Sequence, residues 1–276
     1  MSMSPDEIES LARELMSAYQ TGQMVDVPPS ERFGFDLDAA YQVEGMLKKF
    51  REAAGHRSVG RKVGYANKAM WRILKLETLV WAHMYDDTVH YSGENSATLS
   101  VPHPRSLKIE PEIVFGLKDS GITENPSDAA AALAHTEWLA IGFEIIDCPF
   151  PEWKFQPGDF VASFGLHAAL VVGEKVPVRP ELIPPLGDQL SRFRVRMSRN
   201  GAFVEEGSGR NALRNPASCL AELSTAIARR FPDQPLRGGD VVSSGTLTAG
   251  HATAREEEWK VDVEGISLPS LRLRLT

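Results

Sequence analysis

The sequence predicts an α+β fold with a core rich in β-strands. Helix-like periodicity dominates the first part of the chain, and strand-like segments dominate from about Thr98 onward, with two helices interposed. The chain lacks the regular alternation of strands and helices that builds a doubly wound sheet. It also contains no G-x-G-x-x-G or Walker-type loop, so the sequence does not indicate a nucleotide cofactor.

Composition and charge restrict the possible function classes. The 276 residues are enough for one large or two modest domains, and their 42% hydrophobic and 24% charged content is typical of a soluble globular protein. The net charge of −7 does not favour binding to nucleic acid or to an anionic membrane. A small acidic substrate is still compatible with this charge, because a local cation can attract it.

The sequence also predicts a cytoplasmic location. Cys148 and Cys219 are far apart and have no metal-ligand spacing, which favours a reducing compartment over a disulfide scaffold. No apolar run approaches the roughly 20 residues that a transmembrane helix needs. The acidic N-terminus lacks a signal-peptide pattern, so we expect no membrane partner.

Two helices are predicted near the N-terminus. The first begins with Ser4 as its N-cap and ends at Gly22. The second begins at Asp36 or Asp38 and ends near Gly55. Both segments carry apolar residues at helical spacing, so each helix is expected to bury one face.

The later elements follow from local signals in chain order. A short strand over 59–63 contains Lys62, and a short helix follows over 68–74. The dipeptide Asn200-Gly201 is the strongest hairpin signal of the chain. The other predicted elements are a helix over 128–140, a loop over 156–159, strands over 165–172 and 193–197, a helix over 215–231, and closing strands over 241–248 and 259–263.

Two glutamates lie two residues apart inside the apolar run KIEPEIVFGL, residues 108–117. Its β-branched and aromatic residues favour a strand, in which Glu110 and Glu112 point to the same face. Two carboxylates on one buried face are costly unless a cation lies between them, and hard divalent cations prefer oxygen ligands. Since Glu144 lies in a second apolar run, AIGFEIID, we interpret Glu110, Glu112 and Glu144 as one site for Mg²⁺ or Mn²⁺. The alternative is a solvated strand face whose glutamates pair with Lys or Arg.

Several segments of the chain resemble the fumarylacetoacetate hydrolase superfamily. They include VGRKVGYANKAM, KIEPEIVF, GFEIID and SSGTLTAG, and the resemblance extends from about the first helix to the C-terminus. The branch most similar to them contains 2-keto-4-pentenoate hydratases and 4-oxalocrotonate decarboxylases of aromatic catabolism. The resemblance implies a mixed β-sheet roll over residues 59–276, preceded by a smaller helical part over residues 1–58.

The same resemblance implies the ligands and partners of the protein. It implies that the three glutamates hold a divalent ion and that the substrate is a small 2-keto or 2-hydroxydienoic acid. It also implies a homo-oligomer, and a possible complex with a partner enzyme of the same pathway.

Catalytic roles follow from the resemblance for two residues. Lys62 matches the lysine of the family's G-x-K-x-G element, where it would pair with the substrate carboxylate or move a proton to the end of the dienol. Its alternative is a surface lysine at a strand end. Asp86 matches a family acidic position, where it would orient Lys62 or serve as a base for water. Its alternative is a capping role in a loop.

The segment around Asp159 departs from the family pattern. Asp159 matches a substrate-binding segment, but Phe164 and His167 replace smaller or polar side chains. His167 could be an acid or base that titrates near neutral pH, or a histidine of the apolar core. Thr246 and Thr248 match a late segment near the substrate, where their hydroxyls would hold its carboxylate. Threonine is also simply a favourable strand residue.

We predict a hydratase that adds water to a 2-hydroxy-2,4-dienoate and yields a 4-hydroxy-2-keto acid. The alternatives are a 4-oxalocrotonate-type decarboxylase, an acylpyruvate-type C–C hydrolase, and a weakly active scaffold of an enzyme assembly. A metal that stabilises an enolate would serve all three reactions, so the glutamates alone do not choose among them.

Overall fold

The computed structural model describes residues 2–122 and 124–276. Its helices, in chain order, are α1 Pro5–Thr21, α2 Leu37–Ala53, α3 Lys68–Leu74, α4 Ala129–Ala134, α5 Pro157–Ala162, α6 Ile183–Arg192 and α7 Pro216–Arg230. Its strands are β1 Ser58–Gly64, β2 Val80–Tyr85, β3 Val89–Tyr91, β4 Ser96–Leu99, β5 Leu107–Leu117, β6 Thr136–Asp147, β7 His167–Val172, β8 Val176–Pro177, β9 Arg194–Arg199, β10 Ala202–Ser208, β11 Val241–Thr246, β12 His251–Ala252, β13 Glu258–Glu264 and β14 Leu271–Leu275.

The two N-terminal helices form as their capping signals predict. Ser4 and Glu7 make a capping box at the start of α1, in which the Ser4 backbone N–H donates to Glu7 Oε2 at 2.7 Å. Gly22 ends the helix in the left-handed conformation. Asp36 caps α2 by accepting a hydrogen bond from the Ala39 backbone N–H at 2.8 Å. Helix α2 packs against α1 and α5, so the N-terminal helices contact later parts of the chain.

The larger sheet is mixed and positions the candidate site. Its strand order is β2-β1-β11-β5-β6-β7-β3, with β12 paired to β5 and β8 paired to β6. Strands β5 and β6 are antiparallel along nearly their whole length, whereas β1 and β11 are parallel. Both faces of β5 are buried from Glu112 to its end, as expected for a strand in the middle of a sheet.

A smaller sheet lies in the order β10-β9-β13-β14-β4. The predicted hairpin joins β9 to β10, and Asn200 and Gly201 have φ values of 51° and 79°, as a type I′ turn requires. These two mixed sheets and the surrounding helices confirm the predicted α+β class. The division into a helical part over 1–58 and a core over 59–276 stays a prediction.

Several local predictions are wrong, each for a physical reason. The helix predicted over 128–140 ends at Ala134, because residues from Thr136 onward pair with β5. The loop predicted over 156–159 contains the first turn of α5, with Pro157 at a position that favours helix initiation. The sequence does not predict β2. All residues of this strand are buried, so it lacks the alternation of apolar and polar residues that marks a half-buried strand.

The described residues contain no helix that is both long enough and apolar enough to cross a membrane.

The close pairing of β1 with β11 predicts a large cost for a side chain at Gly60. A Cβ at Gly60 would lie 1.8 Å from the Val241 carbonyl oxygen, so the strands would have to separate. We expect Gly60→Ala to lower the free energy of unfolding by about 1–3 kcal/mol or more in urea titrations. Gly45→Ala is the matched control, because Gly45 lies within α2 with no atom within 4 Å of its added Cβ. That control should stabilise the protein by roughly 0.5–1 kcal/mol. Equal stability of the two variants would contradict the prediction.

Candidate functional site

Three glutamates converge where β5 and β6 pair. The antiparallel register places Glu110 directly opposite Glu144, and Glu112 lies two residues further on the same strand. One carboxylate oxygen of each residue lies within 4.8 Å of those of the other two. Glu112 and Glu144 are buried, and Glu110 is partly exposed. The structure therefore brings together all three predicted metal ligands.

The carboxylates of this cluster are unfavourable as neighbouring anions. Burial is the main cause that raises the pKa of Glu110 to about 7, and the Glu144 charge raises it further. Burial and repulsion by Glu144 and Glu110 hold the pKa of Glu112 well above its usual range. A divalent cation would relieve this repulsion with oxygen ligands of the kind it prefers. The donor set thus fits a hard divalent ion.

Glu112 is fixed by the strand on its other side. Its Oε2 accepts a hydrogen bond from the Gly245 backbone N–H at 2.8 Å and a second from the Ser243 hydroxyl. Both donors come from the β11 region, which pairs antiparallel with β5. The segment SSGTLTAG is part of the family resemblance, but the sequence does not predict these two hydrogen bonds, because they depend on strand register.

Lys62 reaches the same cluster from β1. Its Nζ lies 3.0 Å from Glu144 Oε2 and donates a hydrogen bond to the Gly165 carbonyl at 3.0 Å. Burial lowers the pKa of Lys62, but attraction by the three glutamates outweighs burial, so the pKa is raised. A buried ammonium therefore stands beside the carboxylates, as predicted from the G-x-K-x-G element.

His167 contacts Glu144 of the cluster from the protein interior. Its Nδ1 lies 2.8 Å from Glu144 Oε1, and its Nε2 lies 3.1 Å from the Thr88 hydroxyl. The histidine is 4% exposed and does not line the pocket described next. It is thus neither a free core histidine nor a group that reaches the pocket, and its contacts suit a residue that orients Glu144. Thr88 has no sequence signal that would single it out.

The cluster opens into a cavity of about 560 Å³. Lys62, Glu110 and Glu112 form one polar end, and the aromatic side chains of Tyr65, Trp153, Phe155 and Phe160 form part of the remaining wall. The other lining residues include Asn67, Lys108, Ile146, Leu166, Glu205, Asn211, Thr246 and Thr248. This combination of an apolar wall with a few convergent polar groups is typical of a small-molecule site.

Thr246 and Thr248 line the cavity, as predicted, but their hydroxyl protons are already used. Thr246 Oγ1 donates to the Thr248 carbonyl at 3.0 Å, and Thr248 Oγ1 donates to the Ala249 carbonyl at 2.9 Å. Binding a substrate carboxylate through these hydroxyls would require the local bonds to break.

The structure does not bring Asp86 to the pocket. Asp86 lies in the turn after β2, where its carboxylate accepts a hydrogen bond from the Arg57 backbone N–H at 3.1 Å and lies 3.3 Å from the Arg57 Nε. The register of β1 and β2 pairs Ser58 with Tyr85 and Lys62 with Ala82. Asp86 is therefore at the opposite end of this strand pair from Lys62 and cannot orient it. These contacts correspond to the capping alternative.

Asp159 also has a structural task in place of the predicted contact with substrate. Its Oδ1 accepts the Ser30 backbone N–H at 2.6 Å, and its Oδ2 accepts the Ser30 hydroxyl at 2.6 Å and the Gln156 backbone N–H at 2.7 Å. Asp159 is fully buried and does not line the cavity, so it ties α5 to the N-terminal segment. The next residue, Phe160, is the one that faces the pocket, with Lys62 Nζ 4.8 Å from its ring centroid.

Comparison with known proteins gives relatives over nearly the whole chain. One is a 2-hydroxyhexa-2,4-dienoate hydratase of Comamonas testosteroni, 24% identical over 269 residues that cover 96% of this chain and 97% of the relative. Another is a 2-keto-4-pentenoate hydratase of Paraburkholderia xenovorans strain LB400, 26% identical over 265 residues that cover 96% and 94%.

A similar solved structure is a 4-oxalocrotonate decarboxylase of Pseudomonas putida G7, complexed with magnesium and adipate. It has a TM-score of 0.87 and 22% identity, and the match covers 100% of this chain and 99% of that one. This likeness shows the fold. Residues 63–275 match the family model described as fumarylacetoacetate (FAA) hydrolase C-terminal. The chain therefore belongs to the fumarylacetoacetate hydrolase family.

Proposed function

We propose that the protein is a divalent-metal-dependent lyase that adds water to a 2-hydroxy-2,4-dienoate of the 2-keto-4-pentenoate type and yields a 4-hydroxy-2-keto acid. The observation that carries the proposal is the cluster of Glu110, Glu112 and Glu144, which opens into a small cavity that Lys62 and four aromatic side chains help to line. The full-length relatives with hydratase names support the same reaction.

Glu110, Glu112 and Glu144 would hold Mg²⁺ or Mn²⁺, both of which accept carboxylate ligands. When bound, such an ion polarises a 2-keto oxygen as a Lewis acid and orients the neighbouring carboxylate. His167 would hold Glu144 in position through the 2.8 Å contact with its Oε1, and Ser243 and Gly245 would hold Glu112.

Lys62 is the residue that we assign to proton movement. Hydration of the dienol requires a proton at the terminal carbon before water adds to C4. The Lys62 ammonium is buried next to the glutamates, with its Nζ 3.0 Å from Glu144 Oε2, and its side chain lines the cavity. Tyr65, Phe160 and Leu166 would exclude bulk water from the substrate chain on this side of the cavity.

One observation favours a second candidate, the decarboxylation of a 2-keto dicarboxylate such as oxalocrotonate. Lys108 places a second cation in the cavity, which a monocarboxylate does not require. The C–C hydrolase alternative expects a histidine with a nearby acid, and His167 is turned away from the cavity. A scaffold without activity would not need to keep buried carboxylates and a lysine in contact, because each is costly to bury.

We further propose that the protein works in the cytoplasm as a homo-oligomer, with a possible partner enzyme of the same pathway. The family resemblance supports the oligomer and the partner enzyme, and the two free cysteines, Cys148 and Cys219, fit a reducing compartment.

A direct assay tests the reaction. We expect purified protein to consume the absorbance of 2-hydroxypenta-2,4-dienoate in the presence of Mg²⁺, and EDTA to stop the loss. With oxalocrotonate as substrate, release of CO₂ would identify a decarboxylase, while its absence alongside dienol loss would identify a hydratase. No metal-dependent turnover of either compound would contradict the proposal.

Glu112→Gln should separate stability from function. The amide removes a charge that is unfavourable in the metal-free site, and its oxygen can still accept the hydrogen bond from Gly245. At pH 8 we expect the metal-free variant to be more stable by on the order of 1 kcal/mol. The increase in Tm that Mg²⁺ produces by binding the folded state should disappear, together with activity.

Glu258→Gln, at an exposed carboxylate of the smaller sheet, is the matched control and should leave both properties unchanged. A normal Mg²⁺-induced rise in Tm for Glu112→Gln would show that Glu112 is not a ligand.

Lys62 and His167 both contact Glu144, yet we expect their removal to have different effects. Lys62→Ala should lower kcat by roughly 10²–10⁴-fold, as the loss of an acid–base group does. It should not weaken Mg²⁺ binding, because the ammonium that it removes repels the ion. His167→Ala should weaken Mg²⁺ binding by about 10–100-fold, because Glu144 loses the group that orients it. At saturating Mg²⁺ its KM should remain that of the parent, since His167 lies outside the cavity. Calorimetric Mg²⁺ titrations and steady-state kinetics check both variants, and a changed substrate preference for His167→Ala would place it in the pocket instead.

A further inference from the structure

Lys108 lies on β5 just outside the glutamate cluster. It precedes Glu110 by two residues on β5, so the two side chains share a face, and their Cα atoms are about 6.6 Å apart. Its register partner on β6, Ile146, lines the same cavity. A cation is therefore placed along the pocket wall, next to but separate from the proposed metal ligands.

The ammonium of Lys108 is available to a ligand. Its Nζ lies 3.9 Å from the centroid of the Trp153 ring, and no carboxylate of the described residues lies within ion-pair distance of it. The ring itself is held in place, because Trp153 Nε1 donates to the Ser106 hydroxyl at 2.7 Å. Lys62, by contrast, is already bonded to Glu144 and Gly165.

The carboxylate of Glu205, which also lines the cavity, does not pair with Lys108. Glu205 Oε2 lies 2.6 Å from His251 Nε2 and accepts a hydrogen bond from the Ala249 backbone N–H at 3.1 Å. This carboxylate is thus already satisfied within the protein. An anion next to Lys108 would exchange a cation–π contact for a charge-assisted hydrogen bond, which is the stronger of the two.

We propose that Lys108 binds a second carboxylate at the far end of the substrate, so that the site selects 2-keto or 2-hydroxydienoic dicarboxylic acids over monocarboxylic acids. The inference rests on the proposed function, because the 2-keto acid end must lie at the glutamate cluster, and it extends that function to 2-hydroxydienoates that carry a second carboxylate at the other end of the chain. Trp153 and Phe155 would contact the carbons between the two ends.

Binding of two unreactive ligands of equal length tests this selectivity. The Mg²⁺-loaded protein is titrated calorimetrically with 2-oxoadipate, which has two carboxylates, and with 2-oxohexanoate, which has one. We expect 2-oxoadipate to bind at least about tenfold more tightly, as one additional charge-assisted hydrogen bond predicts. Lys108→Met should abolish this difference by weakening the binding of 2-oxoadipate alone, and Lys108→Arg should retain most of it.

Lys175→Met is the matched control. Lys175 also stacks on aromatic rings, with its Nζ 4.2 Å from the Tyr91 centroid and 4.6 Å from the Trp138 centroid, but it lies outside the cavity. The control should keep the preference of the parent. Equal affinity of the parent for both ligands, or an unchanged preference in Lys108→Met, would overturn the role of Lys108 alone. If neither ligand bound the parent in a Mg²⁺-dependent way, the proposed function would fail with it.

Discussion

The antiparallel register of β5 and β6 is the constraint on which the site depends. It sets Glu110 opposite Glu144 in the interior of a mixed sheet, where like charges would normally not be placed. A shift of one residue in this pairing would turn the carboxylates to the other face and separate them from Lys62. The unbroken pairing of the two strands on either side of these glutamates makes such a shift costly, so the backbone fixes the charge cluster.

The neighbouring strands show how a fold can retain such a cluster. Strand β1 supplies Lys62, the β11 region supplies the donors to Glu112, and β7 begins with His167 beside Glu144. Each contact stabilises one carboxylate. Lys62 and His167 lower the pKa of Glu144 despite its burial, and Lys62 has the larger effect. The pKa values of Glu110 and Glu112 nevertheless stay raised, so this compensation is incomplete. A divalent ion can relieve this residual repulsion between the carboxylates. The same repulsion that destabilises the metal-free site therefore favours metal binding.

Sequence reasoning succeeded where a role depends on short spacing and failed where it depends on distant partners. Glu110 and Glu112 could be assigned to one face because the two-residue period of a strand is local. The structural role of Asp159 could not be predicted, because its hydrogen-bond partner Ser30 lies 129 residues away in the sequence. A contact between such distant residues leaves no local sequence pattern. Asp86 matched a motif, but the turn after β2 directs it to Arg57. The same limit explains the helix predicted over 128–140, since tertiary pairing with β5 overrides the helix propensity of its last residues.

The backbone around Trp153 suggests which half of the cavity decides the substrate. The inner half, with the glutamates and Lys62, is set by strand pairing, and a metal held by these carboxylates would serve hydration and decarboxylation alike. The outer half includes a short segment in which Glu152 and Trp153 adopt φ values of 54° and 58°, a left-handed conformation that costs non-glycine residues roughly 1–3 kcal/mol each. The bond from Trp153 Nε1 to Ser106 helps to hold this conformation and sets the indole ring beside Lys108. This segment therefore fixes the position of an aromatic ring that lines the cavity and contacts Lys108.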